Sequence, residues 1–289
     1  MKGILLAGGA GSRLYPLTEV ACKQLVPVYD KPMVFYPLTT LIDGGVRELC
    51  LISTPVDLPR FQRLFGDGSR LGLRIGYREQ ARPAGIAEAL LIAEDFVGED
   101  SVALILGDNV FYAGDALARA FRDYASGATI FGYQVKNPER YGVVELDDAG
   151  RVLSIEEKPA RPKSNHAIPG LYLFDARAPA LARQLRPSAR GELEITDLIR
   201  KYLEQGALRC ELLARGTAWL DAGTSSSLHE ASAFVQTVEK RQGIKLGCPE
   251  EAAFRRGFID EAALAGLVAA MPACEYREYL ASVLAEARR

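Results

Sequence analysis

An apolar run, Gly3 to Ala7, passes straight into a glycine-rich turn at Gly8, Gly9 and Gly11, and two cations follow, Arg13 and then Lys23. A short apolar run bounded by turn residues reads as a buried strand. Glycines let a backbone approach a ligand closely and aim its N–H groups at an anion. Arg13 and Lys23 would add charge that compensates a triphosphate. The turn alone fits a plain tight turn as well as a phosphate loop. It does not match the dinucleotide fingerprint, because Leu14 stands where a third glycine is needed. It also lacks the Gly-Lys-Ser/Thr of a Walker A loop.

Downstream, strand-like and helix-like segments alternate. Residues 46–53, 73–77, 101–106 and 128–135 read as strands; 32–44, 58–65, 86–96 and 116–125 read as helices. That alternation predicts an α/β layered fold with a largely parallel sheet, whose ligands sit beyond the carboxyl ends of the strands. Gly8 and Asp108 both follow strand ends, so both should face that crevice. From Tyr141 the texture changes. Residues 142–159 read as a hairpin turning at Asp148-Ala149-Gly150, and 168–174 as a further strand. Residues 176–186 and 194–205 look helical, 208–214 strand-like, and 217–223 a short loop. Helical pattern resumes at 228–239, and the tail 249–289 is Ala-rich and helical with a break near Pro272.

Composition excludes several classes. A net charge of −2 without a basic block gives no electrostatic footprint for nucleic acid. No apolar stretch approaches the roughly 20 residues of a membrane span. The first strand begins at once, which leaves no room for a signal peptide. Five cysteines, odd in number and without C-x-x-C spacing, read as free thiols of a reducing cytoplasm. With only two histidines, His166 and His229, the sequence argues against a His-rich zinc site or a Ser-His-Asp triad, and both read as structural or surface residues.

Four further constellations carry chemistry. Asp108 ends a buried strand, and Asp221 sits in Trp219-Leu-Asp-Ala-Gly223. Together they would hold Mg²⁺, which takes oxygen ligands and substrate phosphates, or each would simply cap a helix. Glu157-Lys158-Pro159 is either a charged hairpin edge or a site where Lys158 meets a phosphate and Glu157 accepts hydroxyl hydrogen bonds. Arg190, just before a helix, would be a second phosphate clamp. Gln80 would pair with the edge of a pyrimidine, with Gly85 leaving room for the base. Tyr141, Gly142, Ile168, Tyr172 and Trp219 would wall a sugar or a base, or belong to ordinary core.

The extended string Gly8-Gly-x-Gly-x-Arg13-Leu-x-Pro16, then Lys23-Gln24-Leu-x-Pro27-Val and Lys31-Pro32-Met33, resembles the sugar nucleotidyltransferase signature. With Leu106-Gly-Asp-Asn109, Glu139-Arg-Tyr-Gly142, Glu156-Glu-Lys-Pro159, Arg190-Gly-Glu-Leu-Glu-Ile-Thr-Asp197 and Trp219-Leu-Asp-Ala-Gly223, nearly the whole chain is similar to the glucose-1-phosphate thymidylyltransferases. The resemblance implies a Rossmann-like fold with a mainly parallel central sheet. It implies a catalytic domain over 1–240 containing a sugar-binding part at about 141–223. A helical extension at 241–289 would serve oligomer or regulatory contacts. The hexapeptide repeats of bifunctional uridylyltransferases do not occur in these 289 residues.

It further implies transfer of a thymidylyl group from dTTP to glucose 1-phosphate with Mg²⁺, for dTDP-deoxysugar biosynthesis, in a cytoplasmic homotetramer. By matched motif, Arg13, Lys23, Asp108, Lys158 and Asp221 would be catalytic, with the metal on Asp108 and Asp221. Leu6, Gly8, Gly9, Gly11, Gln24, Gln80 and Gly85 would join Arg13, Lys23 and Asp108 at the nucleotide. Asn109, Tyr141, Gly142, Glu157, Ile168, Tyr172, Arg190 and Trp219 would join Lys158 at the sugar phosphate. A UTP-preferring enzyme and a catalytically silent sugar-nucleotide-binding protein are the alternatives. Ala84, Pro169 and Ala113-Gly114 depart from the family pattern, the last at a surface implicated in feedback binding.

Overall fold

The computed structural model describes residues 1–9 and 11–288; Ala10 of the glycine turn and Arg289 at the end of the tail lie outside the described residues. The opening apolar run forms β1 (Lys2–Leu6), and the chain then makes a small hairpin from β2 (Pro27–Val28) and β3 (Lys31–Pro32). Three more strands, β4 (Glu48–Ser53), β5 (Arg74–Glu79) and β6 (Val102–Leu106), lie parallel to β1 in the order β6-β1-β4-β5. Helices cover this wing, so β1, β4 and β6 read as continuous apolar runs rather than alternating ones.

The second half supplies β7 (Asn109–Tyr112), β8 (Ala128–Gln134), β9 (Gly142–Leu146), β10 (Val152–Glu157), β11 (His166–Ala167), β12 (Leu171–Phe174), β13 (Leu208–Leu212) and β14 (Ala218–Asp221). Among the described residues ten strands form one sheet, ordered β10-β9-β11-β8-β12-β6-β1-β4-β5, with β13 beside β8. β12 runs antiparallel to both β6 and β8 and so joins the parallel wing to the hairpin of β9 and β10.

Several sequence boundaries move for identifiable reasons. The helix expected over 32–44 starts at Phe35, because Lys31 and Pro32 are committed to the hairpin with β2. The helix expected over 86–96 is two short pieces, Glu88–Ile92 and Glu94–Val97, parted at Ala93. The strand expected over 168–174 starts only at Leu171, as β12; Pro169, between it and the end of β11 at Ala167, has no N–H for a ladder. The stretch 217–223 is not a loop: its middle is β14, paired antiparallel with β7. Within the described tail there are three helices, Pro249–Arg255, Glu261–Ala270 and Glu275–Ala287, with an extra break at Gly257, whose φ of 66° suits glycine.

Those tail helices are not an appendage. Ala252, Leu264, Leu280 and Leu284 are buried in one apolar cluster with Leu38 and Leu41 of the helix Phe35–Asp43 and with Phe61. A second cluster fills the opposite face of the sheet, and a third packs the helix Ser225–Gln242 on the β2–β3 hairpin.

Candidate active site

The turn after β1 requires its glycines: Gly9 and Gly11 have φ of 111° and 57°, in the left-handed half of the map. A Cβ on Gly11 would lie 2.8 Å from the Thr18 side chain, so the loop folds tightly on itself. It delivers Arg13 to the cleft and leads to Lys23, which is buried and ion-paired with Asp108. Gln24, next along, donates from Nε2 to the Gly8 carbonyl at 3.1 Å, while its buried Oε1 finds no partner among the described residues. Leu6 ends β1 beneath the turn, and its carbonyl accepts from Gly107 N at 2.8 Å.

The two aspartates converge through the β7–β14 ribbon. Asp108 leads into β7, Asp221 ends β14 opposite Asn109, and Ala222 N donates to the Asp108 carbonyl at 3.3 Å. Burial, and then the neighbouring Asp108 carboxylate, push the Asp221 carboxyl above the usual range, against the pull of Lys23, Arg13 and Arg140. Neither aspartate caps a helix. Asp108 is followed by a strand, and the helix Ser225–Gln242 is capped by Thr224, whose hydroxyl accepts from Ser227 N at 3.2 Å. Among the described residues no three His, Cys, Asp or Glu side chains cluster as a closed metal cage. Two adjoining carboxylates whose charges oppose each other, with room for phosphate and water oxygens, fit a hard divalent cation of the Mg²⁺ kind.

Asn109 ties this corner together. Its Nδ2 donates to Asp108 Oδ1 at 2.8 Å, and its Oδ1 accepts from Gly170 N at 2.9 Å and from Trp219 Nε1 at 2.6 Å. Trp219 in turn stands edge-on to Tyr141 at 5.0 Å. The cleft beside them, about 240 Å³, brings together Arg13, Asp108, Asn109, Tyr141, Gly142, Glu157, Lys158, Ile168, Tyr172, Trp219 and Asp221. Burial pushes the Tyr172 and Tyr141 hydroxyls up, so both stay protonated walls of this cleft. Lys158 is held with φ 42°, unusual outside glycine, by its own N–H on the Tyr141 carbonyl at 3.0 Å.

Arg190 is not among the residues lining this cleft. It is bound to Glu194 at 2.8 Å and reaches Glu157 at 3.3 Å, so it sits behind Glu157 at the rim. Gln80 and Gly85 are not among the residues lining this cleft, although Ile86, next to Gly85, is. The room that Gly85 makes is filled by protein: with φ 109°, a Cβ there would meet the Leu193 carbonyl at 2.3 Å. Glycine is therefore required there for backbone to pass backbone. His229 is exposed, and neither histidine lines the cleft.

Ile86, Arg140 and Thr196, which no motif role in the sequence singles out, also line the cleft. Arg140 adjoins the Tyr141-Gly142 pair and lies over the Tyr141 ring. Thr196 is 1% exposed, and its Oγ1 has no partner among the described residues. A polar residue inside the helical string after Arg190 was the available signal. A second cavity, about 260 Å³, opens elsewhere, between Phe111-Tyr112-Ala113-Gly114 and the tail residues Lys245 and Arg255.

The family model described as nucleotidyl transferase matches residues 2–238. Among curated relatives, the glucose-1-phosphate thymidylyltransferase of Neisseria meningitidis is 52% identical over 287 residues, covering 98% of this chain and 99% of that one. Its counterpart in Mycolicibacterium smegmatis is 53% identical over 286 residues, with 98% and 99% covered. Among solved structures, a candidate glucose-1-phosphate thymidylyltransferase from Bacillus anthracis in complex with sucrose superposes with a TM-score of 0.75 at 40% identity, over 81% of this chain and 94% of that one.

Proposed function

The chain belongs to the nucleotidyl transferase family, and we propose that its cleft carries out that family's chemistry with the following division of labour. The protein transfers a thymidylyl group from dTTP to glucose 1-phosphate, giving dTDP-glucose and pyrophosphate. The observation that carries this reading is the convergence of Arg13, Asp108, Asp221 and Lys158 on one cleft beside a glycine turn.

A phosphate oxygen of glucose 1-phosphate attacks the α-phosphorus in line. A new P–O bond forms there, the bond to the β-phosphate oxygen breaks, and pyrophosphate leaves with the electron pair. The attacking oxygen is already anionic, so no general base is required. Catalysis then rests on positioning and on charge placed where charge develops. Arg13, beside Asp221, meets the transferred and departing phosphates. Lys23, paired with Asp108, adds positive charge beside the triphosphate. Asp108 and Asp221 would hold Mg²⁺, which when bound supplies neutralising charge and a template for the triphosphate oxygens. Leu6, Gly8, Gly9, Gly11, Gln24, Gln80 and Gly85 frame the nucleotide.

On the acceptor side, Lys158 and Arg190 neutralise the sugar phosphate, and Glu157, between them, accepts from sugar hydroxyls. Tyr141, Gly142, Ile168, Tyr172 and Trp219 wall the ring, with Asn109 at its base. The helix Glu261–Ala270 has one charged residue yet buries only Leu264, which speaks for subunit contacts there and for the homotetramer. Work in the cytoplasm is favoured by a nucleoside triphosphate substrate and by five unpaired thiols. No described helix is long and apolar enough to cross a membrane.

Incubation with Mg²⁺, glucose 1-phosphate and each nucleoside triphosphate separately, following pyrophosphate, tests the reading. Release fastest with dTTP is expected. Faster release with UTP would reassign the nucleotide, and no release with any would leave a silent binding protein.

A further inference from the structure

Gln80 is 5% exposed and stands at the end of β5, beside the glycine turn. A side-chain amide is ambiguous, since one end donates and the other accepts, and the two ends have nearly the same shape. Here the surroundings remove the ambiguity. One end of the amide faces two acceptors: Glu88 Oε2 at 2.7 Å and the Gly85 carbonyl at 3.3 Å. A carbonyl and an ionised carboxylate have no proton to give, so that end must be the NH₂. Both of its hydrogens are thereby used. Oε1 is left on the other side, 3.1 Å from where a Cβ on Gly8 would stand, with no described group donating to it. Reversing the amide would set its oxygen against the Glu88 carboxylate at 2.7 Å.

Resting on the reading of Gln80 as a nucleotide contact, we propose that Glu88 is a positioning residue for nucleobase selection: it locks the Gln80 amide with its oxygen toward the base, so that the site takes a pyrimidine bearing a ring N–H. Thymine and uracil carry a proton at N3 and match an acceptor. Cytosine presents a lone pair at N3 and would face Oε1 with acceptor against acceptor. A polar group built to pair and then left mispaired discriminates far more strongly than a difference in shape. Glu88 opens the short helix Glu88–Ile92, and its neighbours Ala87 and Ala89 are fully buried, which fixes the carboxylate's position.

The test compares kcat/KM for dTTP, dUTP and dCTP, with Mg²⁺ and glucose 1-phosphate, in the full chain and in Glu88→Gln and Glu88→Ala. A glutamine at 88 can offer either an oxygen or an NH₂, so the Gln80 amide is free to reverse. The dTTP-to-dCTP ratio is expected to fall about tenfold or more in Glu88→Gln, chiefly through KM for the nucleotide. KM for glucose 1-phosphate should hold. Glu88→Ala, which leaves only the Gly85 carbonyl to orient the amide, should also narrow the ratio. An unchanged ratio in both variants, with dTTP turnover intact, overturns the role of Glu88 alone. An equal loss with all three triphosphates overturns it too, as a merely structural effect. If the parent protein releases no pyrophosphate with any of them, the functional reading fails and this inference with it.

Discussion

Asp221 stands opposite Asn109 in the β7–β14 ribbon, which sets its carboxylate beside that of Asp108 from a strand far along the chain. Pairing register therefore fixes the cation site. A slip of one residue in this ribbon would turn Asp221 to the other face and take it out of the cleft. Trp219 lies two residues earlier on β14 and shares its face, which is why the sugar wall and the acidic pair arrive together.

Asp221→Asn separates catalysis from stability. Turnover should fall about a hundredfold or more, because one of the two carboxylates that would hold Mg²⁺ is lost, and with it the cation's charge against the developing anion. Thermal stability should hold, since Thr224 rather than Asp221 caps the following helix. The pH dependence has a definite sign. A carboxyl raised in the folded state contributes stability below its unfolded pKa and loses it as pH rises through the folded value. With chelator present, the wild-type Tm should therefore decline relative to Asp221→Asn as pH is raised above the ordinary aspartate range. Added Mg²⁺ with dTTP should raise the wild-type Tm more than that of the variant.

Lys158 offers a test of strain kept for function. Its φ of 42° costs a residue with a Cβ about 1 kcal/mol that glycine does not incur. Lys158→Gly should be more stable than Lys158→Ala by about 1 kcal/mol in urea unfolding. Both should raise KM for glucose 1-phosphate about tenfold or more, through loss of the ammonium.

Much of this was legible in the chain. The strand before Gly8, the strand over 101–106 that leads to Asp108 and the hairpin over 142–159 declare themselves by local pattern, and the structure has them in place. What local pattern could not supply was partnership. β14 is short and looks like a loop because its partner, β7, lies far back in sequence. Gly85 also lets the backbone of Leu193 pass where a Cβ would stand, a neighbour no spacing rule reveals. Thr196 sits within an amphipathic helix, and only the fold turns its unpartnered hydroxyl into the cleft.

Trp219 is the single tryptophan and is 8% exposed, so its emission reports on the cleft directly. Asn109→Leu orphans two buried donors, Trp219 Nε1 and Gly170 N. It should cost about 2 kcal/mol or more and shift the emission. Asn109→Asp keeps the acceptor for both donors but sets a third negative charge beside Asp108. The emission wavelength should stay put while turnover falls at least about tenfold. A shift in both variants would mean that Asn109 serves packing rather than orientation.

A network of buried charges lies outside the cleft. Lys31 and Glu239 pair at 2.8 Å with side chains only 2% and 4% exposed. Lys245 bridges Glu239, at 2.9 Å, to Asp30, which also contacts Lys31. The four charges bind the β2–β3 hairpin, which follows directly on Lys23 and Gln24, to the end of the helix Ser225–Gln242. Removing one partner of a buried pair strands the other, so Glu239→Gln should lose about 3 kcal/mol, read as a lower urea midpoint with unchanged slope. Burial works against the Asp30 charge, but Lys245 and Lys31 prevail and hold its pKa below the ordinary value. Stability from that group is present above the unfolded aspartate pKa of about 3.9 and is lost as pH falls through the depressed folded value. Replacing Asp30 by Asn should therefore flatten the acid limb of the stability profile, whereas Glu239→Gln should lower the whole curve. Because the network lies outside the cleft, residual activity at saturating dTTP should fall only as the folded fraction falls. A KM for dTTP that rises while the protein stays folded would show that the network also orients the triphosphate loop.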